Sequence, residues 1–145
     1  MTRDHDHWAV HAADWIAWAR TPGHDAFWAY RSAFAEFVGQ GPGQAIDVGC
    51  GEGRLSRFLG ELGWTVTASE PVAALLQAAR EAGSAGTYHR AAADALPVPD
   101  GAFDLVLSYN MLMDVADPAA AMAEMVRVLA PGGRLVVSIV HPLAD

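Results

Sequence analysis

Ala45-Ile46-Asp47-Val48-Gly49-Cys50-Gly51-Glu52-Gly53, followed at once by Arg54-Leu55-Ser56-Arg57-Phe58-Leu59, decides how this 145-residue chain is read. Ile46, Asp47 and Val48 form a short buried strand. Three glycines at alternate positions then let the backbone turn sharply and approach a ligand without a Cβ in the way. The helical run after them aims its free N–H groups and positive dipole end at the same place. Such a turn cradles a polar or anionic group of a nucleotide-like molecule. The dinucleotide pattern G-x-G-x-x-G is not completed here. The acid instead precedes the glycines, at Asp47, and a second acid, Glu70, follows the next apolar stretch. That pairing suits a ligand carrying an ammonium group and a ribose.

Composition bounds the rest. The length supports a single core, and 52% hydrophobic residues is far from a disordered composition. No apolar run approaches the ~18 residues of a membrane span, and the charged, Trp-rich start does not read as a signal peptide. The lone Cys50 can form no internal disulfide, which points to a reducing cytoplasm. A net charge of −8 without a single lysine argues against a nucleic-acid partner.

Outside the decisive stretch, helices and strands alternate. Trp8, Ala12, Trp15 and Ala19 recur at helical spacing, predicting a helix over residues 4–20 that the Thr21-Pro22-Gly23 turn ends. A second helix is expected over 25–38, with Phe27, Tyr30, Phe34 and Phe37 on one face. After the strand at 45–48 come a helix over 53–62, a strand at 64–69, a helix over 71–82, and strands near 87–91 and at 103–108. Asp117-Pro118 reads as an N-cap with proline at the first helical position, and Pro131-Gly132-Gly133 as the stop before a strand over 134–140. The expectation is an α/β protein: a doubly wound, mostly parallel sheet with N-terminal helices. Residues 1–40 are expected as a helical lid and 41–145 as the α/β core.

Ligands of such sheets sit beyond the carboxyl ends of the strands. Asp47 with the glycine turn, Glu70, Asp94-Ala95-Leu96 and Tyr109-Asn110-Met111 all fall there. With Phe103-Asp104-Leu105-Val106 and the run from Arg127 to Leu135 containing Pro131-Gly132-Gly133, these stretches make the chain resemble the class I S-adenosylmethionine-dependent methyltransferases that act on small molecules. The resemblance covers about residues 44–142. It implies a Rossmann-like core with S-adenosylmethionine as cofactor. By it, Gly49, Cys50 and Gly51 line the methionine moiety, Asp47 sits near the ammonium, and Glu70, followed by Pro71, holds the ribose hydroxyls. Asp94 faces the adenine amino group with Ala95 and Leu96 alongside the ring, and Asn110 and Met111 form the floor between cofactor and acceptor. The implied function is methyl transfer to a small-molecule acceptor by in-line displacement. The alternatives are a catalytically incomplete cofactor-binding subunit, or another enzyme on the same fold.

Domains of this family usually carry two more strands after the one expected at 134–140. Within 145 residues that strand is expected as an apolar edge. A truncated chain, a minimal domain and an edge paired with another chain are all open, and the last leads to an expected homodimer. Other residues have two readings each. His7 and His11 lie one helical turn apart, but a solvated helix start outweighs a metal site, and no metal is expected. Trp8, Trp15, Trp18 and Trp28 suit an aromatic cage for a cation, with core packing the weightier reading. Arg20 and His24 flank the turn and can either reach a cofactor carboxylate or lie on the surface. His141 is the candidate general base, against the reading of a polar strand cap. Cys50 reads as a small packing residue.

Overall fold

The computed structural model describes residues 2–141 of the chain, with side chains from His5 onward. Two helices come first, α1 (Thr2–Ala19) and α2 (Ala26–Val38). Then β1 (Gln44–Val48), α3 (Arg54–Glu61), β2 (Thr65–Ser69), α4 (Ala73–Glu81) and β3 (Thr87–His89) alternate. β4 (Phe103–Tyr109), a 3-10 turn (Leu112–Asp114), α5 (Pro118–Val128) and β5 (Leu129–Ser138) complete the described residues. The helix boundaries expected from the sequence hold to within a few residues. At α5 the cap is visible: Asp117 Oδ1 accepts the Ala120 N–H at 3.0 Å, with Pro118 in the first turn.

The strands form one parallel sheet in the order β3-β2-β1-β4-β5. The chain leaves β1 toward β2 and β3 on one side, then returns to place β4 on the other. The carboxyl ends of β1 and β4 therefore border a switch point, where a crevice opens. Alternation along β1 sorts the two faces. Ala45 packs with Phe27 and Val38 of α2 and with Leu55, Phe58 and Leu59 of α3, while Ala68 packs with Leu76 and Ala79 of α4. Ile46 and Val48 face the other way, onto Ala121, Met125 and Val128 of α5. Strands buried on both faces read as near-continuous apolar runs, as Leu105, Val106 and Leu107 do.

One expectation fails in detail. Pro131-Gly132-Gly133 does not lie before the last strand but inside it. Phe103 pairs with Leu129 and Leu105 with Arg134, so residues 130–133 bulge opposite Asp104 alone. Pro131 offers no ladder donor, and a Cβ on Gly133 would stand 2.8 Å from Leu129 Cδ1 and 3.0 Å from the Asp104 carbonyl. The bulge thus exists because those residues cannot pair regularly. The strand also ends at Ser138, leaving Ile139 and Val140 outside it. Among the described residues β5 lies at the edge of the sheet, bonded only to β4. Just past the bulge it is tied elsewhere: the Arg134 guanidinium donates to the Val38 carbonyl at 2.8 Å and the Phe37 carbonyl at 2.6 Å, satisfying the end of α2.

Candidate functional site

The turn from β1 into α3 is built on left-handed backbone. Gly49, Gly51 and Gly53 have φ of 73°, 56° and 93°. A Cβ would come within 2.4 Å of Met111 Cγ at Gly49 and within 2.3 Å of Ser84 Oγ at Gly53, so both backbone shape and packing require glycine there. The Gly49 and Cys50 N–H groups both donate to the Ser69 carbonyl, at 2.8 and 2.9 Å, which ties the turn to the end of β2.

Two acids flank this turn. Asp47 is buried and accepts a 2.8 Å hydrogen bond from the Ser56 hydroxyl of α3. Burial pushes its carboxyl up from 3.8 to about 6, with nearby Glu52 adding to the rise and the Ser56 bond opposing it. Glu70 takes the Gly51 N–H on Oε1 at 3.0 Å and the Val72 N–H on Oε2 at 2.8 Å. Burial raises its carboxyl from 4.5 to about 7, against the pull of those two bonds. Each Glu70 oxygen keeps a free lone pair, so the side chain is held rigidly yet can accept two more donors. Burial also pushes the Cys50 thiol well above its ordinary value, so it stays protonated and serves as packing against Ala68 and Leu76.

A third acid escaped the sequence reading. Glu52 is 1% exposed, and its carboxylate meets Arg57 through two bonds of 2.9 and 2.8 Å and Arg20 Nε at 2.8 Å. Arg20 also donates to the Ala78 carbonyl at 3.1 Å. Of the two readings left open for Arg20, the structure favours the surface one: its guanidinium lies outside the cavity lining and clamps the end of α1 to the glycine turn and α4. Arg57 is a local partner, five residues on, but nothing local in the sequence signals the pairing with Arg20, 32 residues upstream.

These residues open onto a cavity of about 550 Å³. Asp47, Gly49, Cys50 and Gly51 line it from β1, Glu70 and Pro71 from β2, and Asn110 and Met111 from β4. Asn110 holds a left-handed φ of 50°, fixed by its N–H to the Ser138 carbonyl at 2.8 Å and by the Ser138 hydroxyl to its Oδ1 at 2.9 Å. Trp8, Trp15 and Trp18 of α1 form another wall, whereas Trp28 packs on Phe27 and does not reach the cavity. Trp8 and Trp15 also pack with Ala12, Val72 and Leu75, so core packing and cavity lining coincide in them. At the end of β4 the Tyr109 hydroxyl pairs with that of Tyr30, either of which can donate, and burial raises Tyr109 far above its usual range, which keeps it neutral.

Other expected residues are placed differently. Asp94 is exposed and lines a small neighbouring cavity, which shares His5, Ala93, Asp114 and Val115 with the large one. Ala95 lines neither. Leu96 is buried in the α5 cluster; its N–H donates to Glu124 at 2.7 Å and its carbonyl accepts from Arg127 at 2.9 Å. His141 is exposed and outside the cavity lining, where Val140 stands instead. The His7 and His11 rings lie 4.7 Å apart, and among the described residues no three His, Cys, Asp or Glu side chains are grouped to hold a metal. Among the described residues no helix is long and apolar enough to cross a membrane.

The donors and acceptors here fit a nucleoside that carries an amino acid: a rigid carboxylate with two open lone pairs, a second buried carboxylate, and a turn stripped of Cβ atoms. The comparisons agree. The family described as Methyltransferase domain matches residues 46–137. A malonyl-[acyl-carrier protein] O-methyltransferase of Serratia marcescens is 37% identical over 95 residues, covering 66% of this chain and 37% of that protein. A demethylmenaquinone methyltransferase of Mycolicibacterium paratuberculosis is 40% identical over 119 residues, covering 79% of this chain and 49% of its own length. Among solved structures, an S-adenosylmethionine-dependent methyltransferase of Mesorhizobium loti superposes with a TM-score of 0.68 at 36% identity, covering 81% of this chain and 54% of that one. The chain thus spans 37% and 49% of the length of the two curated relatives named. It belongs to the class I S-adenosylmethionine-dependent methyltransferase family.

Proposed function

We propose that this chain binds S-adenosylmethionine in the cleft at the carboxyl ends of β1, β2 and β4 and directs methyl transfer to a small-molecule acceptor. The observation that carries this reading is Glu70. It is buried at a strand end, fixed by two backbone donors, and left with one lone pair per oxygen facing a cavity of suitable size. Two neighbouring ribose hydroxyls match that pair of acceptors. Asp47 supplies negative charge for an ammonium, and Gly49, Cys50 and Gly51 let the methionine chain approach the backbone. Pro71 lies beside the ribose. Asp94 would take the adenine amino group where the small cavity joins the large one through Ala93.

When bound, the cofactor supplies a methyl group on a sulfonium, a leaving group that needs no protonation. The chain's own task is alignment and exclusion of water. Asn110 and Met111, held by Ser138 and by contact with Gly49, form the floor that separates cofactor from acceptor. Residues 1–40 act as a lid over a core at 41–145, because α1 brings three tryptophans to the cavity wall. The relatives named above act on malonyl-[acyl-carrier protein] and demethylmenaquinone, and the apolar aromatic wall here suits a small organic acceptor in the same way. The lone buried Cys50 fits a reducing cytoplasm. A second copy pairing through β5 would satisfy the sheet edge.

Incubation with methyl-labelled S-adenosylmethionine and hydroxylated quinones tests the activity. The expected result is label in the organic extract with release of S-adenosylhomocysteine, both lowered in Glu70→Ala. Label transfer unaffected by that substitution would remove the basis of the reading.

A further inference from the structure

We propose that the indole N–H of Trp15, on α1, is a hydrogen-bond donor to the carboxylate of the cofactor's methionine moiety. The inference rests on the cofactor reading above and names a binding residue outside the α/β core. A methionine moiety brings a carboxylate as well as an ammonium, and a carboxylate taken from water needs donors.

Most donors around the turn are already engaged. The N–H groups of Gly49 and Cys50 go to Ser69, that of Gly51 to Glu70, and that of Gly53 to the Cys50 carbonyl at 3.0 Å. Arg20 and Arg57 both hold Glu52. Arg54, the arginine in the cavity lining, donates to Asp25 Oδ2 at 2.9 Å and stacks over the Phe27 ring at 4.6 Å. Each of these guanidinium groups already donates to a carboxylate, Arg20 and Arg57 sharing that of Glu52 and Arg54 taking that of Asp25.

Trp15 differs. A Cβ placed on Gly51 would lie 3.5 Å from Trp15 Nε1, so the N–H edge of the indole stands over the glycine turn. The half-buried ring lines the cavity, and among the described residues its Nε1 neither donates a hydrogen bond nor is shut away from solvent, so it is open to an incoming group. Trp64, by contrast, spends its N–H on the Gly39 carbonyl at 3.0 Å. Trp15 is also held in place: Trp8 meets it edge-on at 5.5 Å, Trp18 lies against it at 4.9 Å, and Val72 and Leu75 pack beneath. A donor fixed beforehand loses little freedom on binding.

The test compares two ligands by calorimetry. S-adenosylhomocysteine carries the amino acid, and 5′-methylthioadenosine has the same nucleoside and thioether without it. Trp15→Phe keeps an aromatic ring and removes the N–H. The expected result is about tenfold weaker binding of S-adenosylhomocysteine by Trp15→Phe, as for a hydrogen bond to a charged group, with methylthioadenosine binding unchanged. The second ligand also reports that the variant is folded. Equal affinity of the two proteins for S-adenosylhomocysteine, or an equal loss for both ligands, overturns the inference while leaving the cofactor reading intact. Wild-type protein that binds neither ligand overturns the cofactor reading and this inference with it.

Discussion

Burial works against charge at Glu70 and Asp47, and this has a measurable consequence in the absence of ligand. Glu70 titrates near 7 in the fold against 4.5 ordinarily, and Asp47 near 6 against 3.8. Between those limits the folded chain binds more protons than the unfolded one, so stability falls as pH rises. The favourable contribution is complete below the ordinary values and is lost once pH passes the folded values. Urea midpoints measured from about pH 4.5 to about pH 8 should therefore drop in the wild type relative to Glu70→Gln, which has no proton to lose. Parallel curves for the two proteins would show that Glu70 is not destabilised by its surroundings. Both acids were legible in the sequence: Asp47 stands in an apolar strand just before the glycines, and Glu70 directly follows the next strand. Glu52 was only half legible: Arg57 lies five residues on, but Arg20, 32 residues upstream, completes the clamp, and a pair across that distance leaves no local pattern. Asp94 shows the opposite limit. Its motif was recognisable, but which cavity it faces depends on the loop carrying it.

At the scale of elements, the glycine turn and α1 are the parts on which the site depends. Gly53→Ala would impose a left-handed φ of 93° on a residue with a Cβ and drive that Cβ into Ser84 and Ala79. A loss of about 2–3 kcal/mol is expected in chemical denaturation, combining backbone strain with the clash; a loss below about 0.5 kcal/mol would mean the turn relaxes freely. α1 is fastened at its end by Arg20, whose side chain is 40% exposed, so its pair with Glu52 is partly screened. Arg20→Gln should leave the core intact, because Arg57 still holds Glu52, while amide hydrogens of α1 exchange about fivefold faster or more. Unchanged exchange would show that the tryptophan packing alone secures the helix. Helical and strand periods made most elements readable in advance. The bulge in β5 was not, because proline and glycines that ordinarily end an element here sit opposite a single residue of β4, a matter of pairing between distant segments.

For the molecule as a whole, the sheet order explains why cavity-lining residues from three separate stretches of the chain, near 47–51, 70–71 and 109–111, converge. The crevice between β1 and β4 collects the ends of β1, β2 and β4, and α1 adds a wall to it. The same order leaves β5 at the edge, with Val137, Ile139 and Val140 at 39%, 61% and 49% exposure. An edge of this kind invites pairing. Light scattering of the 145-residue chain at micromolar concentration is expected to give a dimer, and Val137→Lys to shift it toward monomer. A wild-type monomer would show that the edge does not recruit a second copy.

The central claim is that a cofactor bearing a ribose is held by Glu70 in this cleft. Calorimetric titration of S-adenosylhomocysteine into wild type and Glu70→Ala, at about pH 8 where Glu70 is ionised, tests it most directly. The predicted result is one-to-one binding by the wild type and at least tenfold weaker binding by the variant, since a hydrogen bond to a charged group contributes about 1.5–3 kcal/mol. Equal affinity in the two proteins, or no binding by either, would contradict the account.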